Sequence, residues 1–284
     1  MRTAWRKHPV RFVASRTALY ISLSGVLLLV LGPYIIMLLT SLTPKEELAA
    51  AGASLIPSEL TTASYSELLS TTPFLSYLTN SITVAAIAVP ITLTVSTGAA
   101  IALSRFDFAG KKSLMTGLLL AQMFPAVLLV ISLQGQLRSF GLLDNKLGLA
   151  LVHSAFATPF ATWLLKGFAD SLPRELEESG AIDGASSWQI IPKLVLPLLL
   201  PGMVAAGTYS FILTWNEFLY ALTFTSSTAT RTLPVGLQLF IGEYQIRWDL
   251  LTAGGVLSVL PVVVGFLLVQ RKLVAGLSAG AVKG

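Results

Sequence analysis

Six stretches of this chain contain no aspartate, glutamate, lysine or arginine: residues 18–42, 78–104, 113–137, 147–165, 194–216 and 250–270. A helix needs about 20 apolar residues to cross the hydrocarbon core of a bilayer. No water is available there, so each backbone N–H and C=O must find its partner within the segment, and that requirement selects helices. Residues 147–165 make the shortest stretch and still meet the length. Pro33, Pro90, Pro125, Pro159, Pro201 and Pro261 fall inside the stretches and predict kinks in most of them. The expectation is an all-α integral membrane protein with six spans. Composition agrees: 12% of residues are charged, against about 25% in a soluble domain.

Basic residues set the orientation. With the N-terminus inside, the inside segments collect 14 lysines and arginines and the outside segments five. The positive-inside rule then places both termini in the cytoplasm, together with the polar segment that follows residue 172. The net charge of +5 is read as these basic flanks. Residues 1–17 carry Arg2, Arg6, Lys7, Arg11 and Arg16 and no acid. A signal peptide ending at Ala49-Ala50-Ala51 is the alternative. The first apolar run is too long for one, and Lys45, Glu46 and Glu47 intervene. The expected organisation is a single domain over 1–284: a cytoplasmic tail at 1–17, a six-span core at 18–272 and a cytoplasmic tail at 273–284. Outside, 43–77 shows weak helical patterning, and 138–146 is a turn around Gly141 and Asp144-Asn145. In 224–249, Phe240, Tyr244 and Trp248 recur every fourth residue, which predicts a helical face.

The most charged island between spans is 173–201. Pro173 suits the first turn of a helix, where its missing N–H is not needed. Residues 174–181 can wind about two turns before Asp183-Gly184, a turn dipeptide whose glycine can take positive φ. Ser186 or Ser187 can cap a second short helix bearing Trp188, Ile190 and Ile191. Pro192 and Pro197 mark the return to apolar sequence. The pattern predicts a helix–turn–helix knob held between two spans.

This segment resembles the EAA loop of permease subunits from ABC importers. Glu178-Ser179-Gly180 stands at E-A-A, Gly184 at the loop glycine, and Leu194-Val195-Leu196-Pro197 at I-x-L-P. Ser and Gly replace the two alanines but remain small, which keeps close docking open. Asp183-Gly184-Ala185-Ser186 is similar to the carbohydrate branch. So are Asn80-Ser81, the run 99–110, Met123-Phe124-Pro125, the run Trp163 to Asp170, Trp215-Asn216-Glu217-Phe218 and the tail 276–284. The likeness extends from about residue 17 to the end and is nearest to the second, shorter permease of maltose- and trehalose-type importers. It implies the type I ABC importer permease fold, in a bacterial plasma membrane. It further implies a homologous permease, an ABC ATPase dimer docking on Glu177, Glu178, Ser179, Gly180, Ala181, Asp183, Gly184, Ala185 and Ser186, and an extracytoplasmic sugar-binding protein. ATP and Mg would be bound by the partner ATPase, with no cofactor in this chain.

A sugar path calls for amides, hydroxyls and aromatic faces. The spans offer Asn80, Gln122, Ser132, Gln134, Tyr209, Trp215, Asn216 and Tyr220, with Glu217 beside them. Interhelical hydrogen bonding is the plain alternative for each. His153 is expected to pack simply, for want of a carboxylate partner in the membrane. Gly110-Lys111-Lys112-Ser113 lacks the first glycine of a phosphate-binding loop. Zinc-protease and nucleophile-elbow motifs are absent, as is cysteine. The expectation is a transport subunit that is not itself an enzyme and does not bind nucleic acid. The rival is a stand-alone membrane protein, either a secondary carrier or an intramembrane enzyme. For the substrate, maltose- or trehalose-like disaccharides come first, then other sugars or glycerol phosphate.

Overall fold

The computed structural model describes residues 9–49, 56–242 and 245–281. Arg2, Arg6, Lys7, Ala50, Ala51, Tyr244, Lys283 and Gly284, all invoked above, lie outside the described residues. Among the described residues, five helical stretches are long and apolar enough to cross a membrane: Arg16–Ser41, Phe74–Arg105, Lys146–Ser171, Trp188–Asn216 and Trp248–Gln270. The sixth expected span is a pair of helices, Lys111–Ala121 and Ala126–Ser139, bent by 96°. The chain separates into two compact units, 1–72 with 240–257 and 73–239 with 258–284.

The smaller unit holds helix α1 (Pro9–Ser41), the short helices α2 (Lys45–Ala49) and α3 (Ala63–Thr71), and the 240–247 segment. Residues 9–17 of the expected tail are thus helical and continuous with the first span. The described parts of 43–77 are more helical than their weak patterning predicts. Its ties are the Ser41 hydroxyl to the Tyr65 hydroxyl at 2.7 Å and the Thr61 N–H to the Leu42 carbonyl at 2.8 Å. Residues 240–247 correct the reading of a helical aromatic face. Ile241 and Ile246 form an antiparallel bridge, closed by the Gly242 N–H to Gln245 O at 3.0 Å. Three aromatic residues spaced by four do not make a helix when Gly242 lies between them and favours a turn. The Arg247 guanidinium forks onto Asp249 at 2.7 and 3.0 Å and reaches Glu67 at 2.7 Å, which fixes the start of the last helix.

In the larger unit, α4 (Phe74–Arg105) packs against α7 (Lys146–Ser171) and α10 (Leu196–Asn216). Residues four apart share one helix face, and these three helices present small residues there. Ala88, Thr92, Ser96 and Ala100 are fully buried on α4, as are Ala157 and Ala161 on α7. Gly202, Ala206, Ser210 and Thr214 line α10. Between apolar helices in lipid, small side chains let the backbones approach closely, and van der Waals contact then holds them. The fit is tight: a Cβ on Gly202 would lie 2.6 Å from Cγ of Phe168.

Among the described residues one span is interrupted, and another is followed directly by a break in the helix. Between α5 (Lys111–Ala121) and α6 (Ala126–Ser139), the N–H groups of Gln122, Met123 and Phe124 bond three residues back, tightening the end of α5. Pro125, which lacks an N–H, then starts α6 in a new direction. α10 ends at Asn216, and the chain runs through Glu217 and Phe218 into α11 (Leu219–Phe224). The helices α12 (Leu233–Gln238) and α13 (Trp248–Ala281) follow; the latter includes the described part of the expected 273–284 tail. Gly202→Val is expected to lower the thermal unfolding midpoint in detergent, because overpacking a filled contact costs about 1–3 kcal/mol. Gly98→Ala, which meets nothing within 4 Å, should not lower it. An unshifted midpoint for the first variant would contradict the close approach of α7 and α10.

Candidate functional site

The knob forms as its sequence predicts. α8 (Glu175–Ile182) is followed by Gly184 at φ +82° and then α9 (Ser187–Ile190). The Ser186 carbonyl accepts the Gln189 and Ile190 N–H groups, and Gln189 Oε1 takes the Ser186 N–H at 3.1 Å. That return bond is half of a capping box. Ala185 closes the turn through its N–H to Gly180 O at 3.0 Å. A π-helical turn, Ile191–Val195, carries Pro192 and leads into α10. The wider turn accommodates a residue that cannot donate.

Gly180 faces inward. A Cβ there would lie 2.9 Å from Leu194 Cδ1, so its smallness closes the two limbs on each other. Small size at this position thus serves the knob itself, a role the sequence reading had given to docking alone. Ser179 bonds back to Glu175 O at 2.7 Å. Glu178, Ala181 and Asp183 are exposed. So are two large apolar side chains on either side of the turn, Ile182 at 86% and Trp188 at 88%. The outer surface is thus an acidic and apolar patch.

Glu177 differs from its neighbour Glu178. It is half-buried and paired with Arg105, the last residue of α4, at 2.6 Å. Arg105 also donates to Ala169 O on α7 at 2.9 Å and to the Ser104 hydroxyl at 3.1 Å. Arg174 donates to Ser104 O at 3.1 Å. The Ser104 hydroxyl reaches Asp170, whose other oxygen is paired with Lys166 at 2.6 Å. The cations therefore sit on carbonyls at the C-terminal ends of α4 and α7, where the helix dipole favours positive charge; Ala169 O also accepts the Leu172 N–H. From sequence Arg105 counts toward orientation and falls within the resembling run 99–110, with no partner assigned. Its one signal is its place at the boundary between an apolar span and polar sequence.

Of the residues expected along a path, the structure brings Gln122, Glu217 and Tyr220 together around α7. Gln122 donates to Phe156 O at 2.9 Å, and the Phe156 ring stacks on Tyr220 with centroids 5.0 Å apart. The Tyr220 hydroxyl donates to Ala126 O at 3.0 Å. Glu217 accepts the N–H groups of Tyr220 and Ala221 at 2.8 and 3.0 Å, capping α11. It also meets His153 Nε2 at 3.1 Å. The reading of His153 as a histidine without a carboxylate is corrected here: the partner is 64 residues away in sequence, at the end of a different helix. His153 Nδ1 is buried with no partner among the described residues. Both breaks thus converge on one side of α7.

The other candidates stand apart from this group. Tyr209 packs on Phe160 at 4.4 Å, and buried Trp215 stacks on Phe211 at 5.5 Å. Asn216 is exposed and bonds back to Ile212 O at 2.9 Å. Ser132 is exposed, and Gln134 is half-buried near Thr223 O. Asn80, 3% exposed, donates to Thr228 O and Arg231 O at 3.0 and 2.9 Å and accepts from Lys146 at 2.9 Å. Its amide therefore holds the 225–233 segment. Ser81 accepts the Leu233 N–H at 2.7 Å. Asp144, at φ +51°, accepts from the N–H groups of Ser226 and Ser227 at 2.8 and 3.1 Å and from the Thr230 hydroxyl.

The family described as "Binding-protein-dependent transport system inner membrane component" matches residues 28–278. The chain belongs to this family. The permease is 35% identical over 276 residues to the sulfoquinovosyl glycerol transport system permease protein SmoH of Agrobacterium fabrum, covering 97% of this chain and 94% of that one. It is 37% identical over 246 residues to the trehalose transport system permease protein SugB of Mycobacterium tuberculosis, covering 86% and 90%. It is 34% identical over 275 residues to the trehalose/maltose transport system permease protein MalG of Thermococcus litoralis, covering 96% and 98%. A solved bacterial ABC transporter involved in the import of alginate superposes with a TM-score of 0.77 at 22% identity, covering 94% of this chain and 97% of that one. That likeness carries the fold: the permease has the type I ABC importer architecture.

Burial pushes the Asp144 carboxyl up, but the donors of Ser226, Thr230 and Ser227 outweigh it and hold it below its ordinary value. A depressed carboxyl stabilises at pH above its unfolded value and loses that contribution as pH falls through the folded one. Amide protection of 225–232, corrected for intrinsic exchange, should therefore stay constant from pH 8 to about 5 and fall only in strong acid. Asp144→Asn should lower protection at neutral pH and flatten the acid dependence. Unchanged exchange in this variant would count against the anchor.

Proposed function

We propose that this permease is one transmembrane subunit of an ATP-driven sugar importer, forming the path for a neutral disaccharide such as trehalose or maltose with a homologous permease. The exposed patch of Glu178, Ile182 and Trp188 at the knob is the observation that carries this reading. A monomer gains nothing by holding a tryptophan in solvent on a rigid turn. An aromatic beside an aliphatic side chain and a carboxylate fits a groove with an apolar floor and a basic wall. The ATPase subunits would supply that groove and would bind ATP and Mg, while this chain binds no cofactor. The knob and both termini are cytoplasmic in this reading, on the distribution of basic residues. An extracytoplasmic sugar-binding protein would deliver substrate at the opposite end, near 225–233. Closure of the ATPase dimer would move the knob and switch the path between two discrete states.

The breaks support a path near α7. Irregular backbone at membrane depth is stable only where it is buried in protein or lines a cavity, and broken helices bring polar backbone and amides to a substrate. Gln122 and Asn216, each at such a break and each exposed, are assigned to the sugar. The spans offer no basic pocket for a phosphate, which favours neutral sugars over glycerol phosphate. The His153–Glu217 contact does not revive a proton-coupled carrier, because Glu217 is engaged by the two N–H groups that it caps.

Purification of the tagged chain from its native membrane should recover an ATPase and a second permease. Trp188→Asp or Ile182→Asp should reduce ATPase recovery at least about tenfold, as loss of a central anchor costs 2 kcal/mol or more, while the second permease stays bound. Recovery of this chain alone, active in liposomes without ATP, would overturn the importer reading in favour of a stand-alone carrier.

A further inference from the structure

The knob is joined by the chain to α7 and to α10, but not to α4, which continues instead into 106–110 and α5. We propose that α4 is the rod through which the knob moves the 225–233 segment, with Arg105 as the positioning residue that grips the knob. This inference rests on the reading of the knob as the ATPase dock and extends it to the far end of the molecule.

Each end of α4 is fastened by side chains rather than by the chain. At one end Arg105, only 11% exposed, holds Glu177 of α8 and Ala169 O of α7, and Arg174 holds Ser104 O. α8 is joined to α7 by the non-helical link 172–174. Without the Arg105–Glu177 pair, tilting of α8 would be taken up in that link. At the other end, Asn80 and Ser81 hold the backbone of Thr228, Arg231 and Leu233. Asn80 and Arg105 are 25 residues apart, or about 38 Å along an α-helix.

Between these ends α4 is stiff. It continues as one helix through Pro90, whereas the α5–α6 span breaks with a bend of 96°. Its buried face is packed by small side chains against α7 and α10, and close-packed interiors shift as blocks rather than compress. Asp144, just before α7, holds the same 225–233 segment, and Lys146, the first residue of α7, holds the Asn80 side chain that grips it. The far end, which continues directly from α11, is therefore also tied by side chains to the clamped pair α4 and α7. Glu177 belongs to this clamp, and its neighbour Glu178 is left to face the partner.

The chain has no cysteine, so Ala229→Cys, at an exposed position of the segment, reports movement as label on this chain, resolved from its partners by mass, without background from the chain itself. The full complex carrying this change would be purified, placed in lipid nanodiscs and treated with a hydrophilic maleimide, with and without ATP and vanadate. Trapping with nucleotide should change the labelling rate at least about fivefold, the lower range for coupling between sites. Arg105→Ala or Glu177→Lys should reduce that change to less than about twofold while the ATPase still co-purifies. Arg105→Glu combined with Glu177→Arg should restore part of it. An undiminished change in Arg105→Ala overturns the rod. So does loss of the ATPase from both single variants, since Arg105 would then merely shape the docking face. Absence of the ATPase from the parent preparation would instead overturn the reading of the knob, and this proposal with it.

Discussion

Close approach of α4, α7 and α10 through small side chains is the constraint on which the rest of this permease depends. Lipid tails are as apolar as leucine, so burying leucine between two spans gains little over leaving it in the bilayer. What remains is contact at short range, which needs backbones that can come near each other. Gly202 against Phe168, and the run of alanine, serine and threonine along α4 and α7, provide it. On α10, Leu198, Leu200 and Ile212 lie on the outside, whereas Leu199 and, on α7, Leu165 fill the block beside the small residues. The block so formed is the fixed frame against which other spans can break.

Two kinds of interruption are set into that frame, and their chemistry differs. Between α5 and α6 the break comes from proline, and tightened turns satisfy the backbone. Between α10 and α11 a carboxylate does the work: Glu217 takes two N–H groups that open α11 and meets His153 across the gap. A charged acceptor in an apolar setting is tolerated because several donors converge on it. Removing those donors would leave the carboxylate unpaired, so the break is held in one geometry.

What was legible in the sequence follows from how local each signal is. Absence of charge over twenty residues marks a span by itself, and all six stretches are helical, one of them in two pieces. The knob's turn was legible too, because Gly184 and Pro173 act on their own backbone. Partners distant in sequence were not. Arg105 lies 72 residues from Glu177, and His153 lies 64 from Glu217; each pair meets only after α4, α7 and their followers have packed. Asn80 shows the same limit from the other side. An amide near the start of a span reads equally as a path residue or as an anchor, and only the carbonyls of Thr228 and Arg231 decide that it anchors. The aromatic spacing of 240–248 misled because three markers carry a period only when the residues between them permit it.

The π-helical turn at Ile191–Val195 has a consequence for rotational phase. Such a turn holds one residue more than an α-helical turn, so everything after it is rotated by about 100° relative to an uninterrupted helix. Ile190 and Leu194, within or before the turn, point at Gly180 and close the knob. Gly202, Ala206, Ser210 and Thr214, after it, form the stripe that faces the other two spans. One extra residue around Pro192 thus lets a single length of helix satisfy two faces that a regular α-helix would set about a quarter-turn apart. The same extra residue makes the phase between knob and span adjustable in steps of one residue, so that a loss or gain at this turn would re-aim the whole knob without altering its own fold.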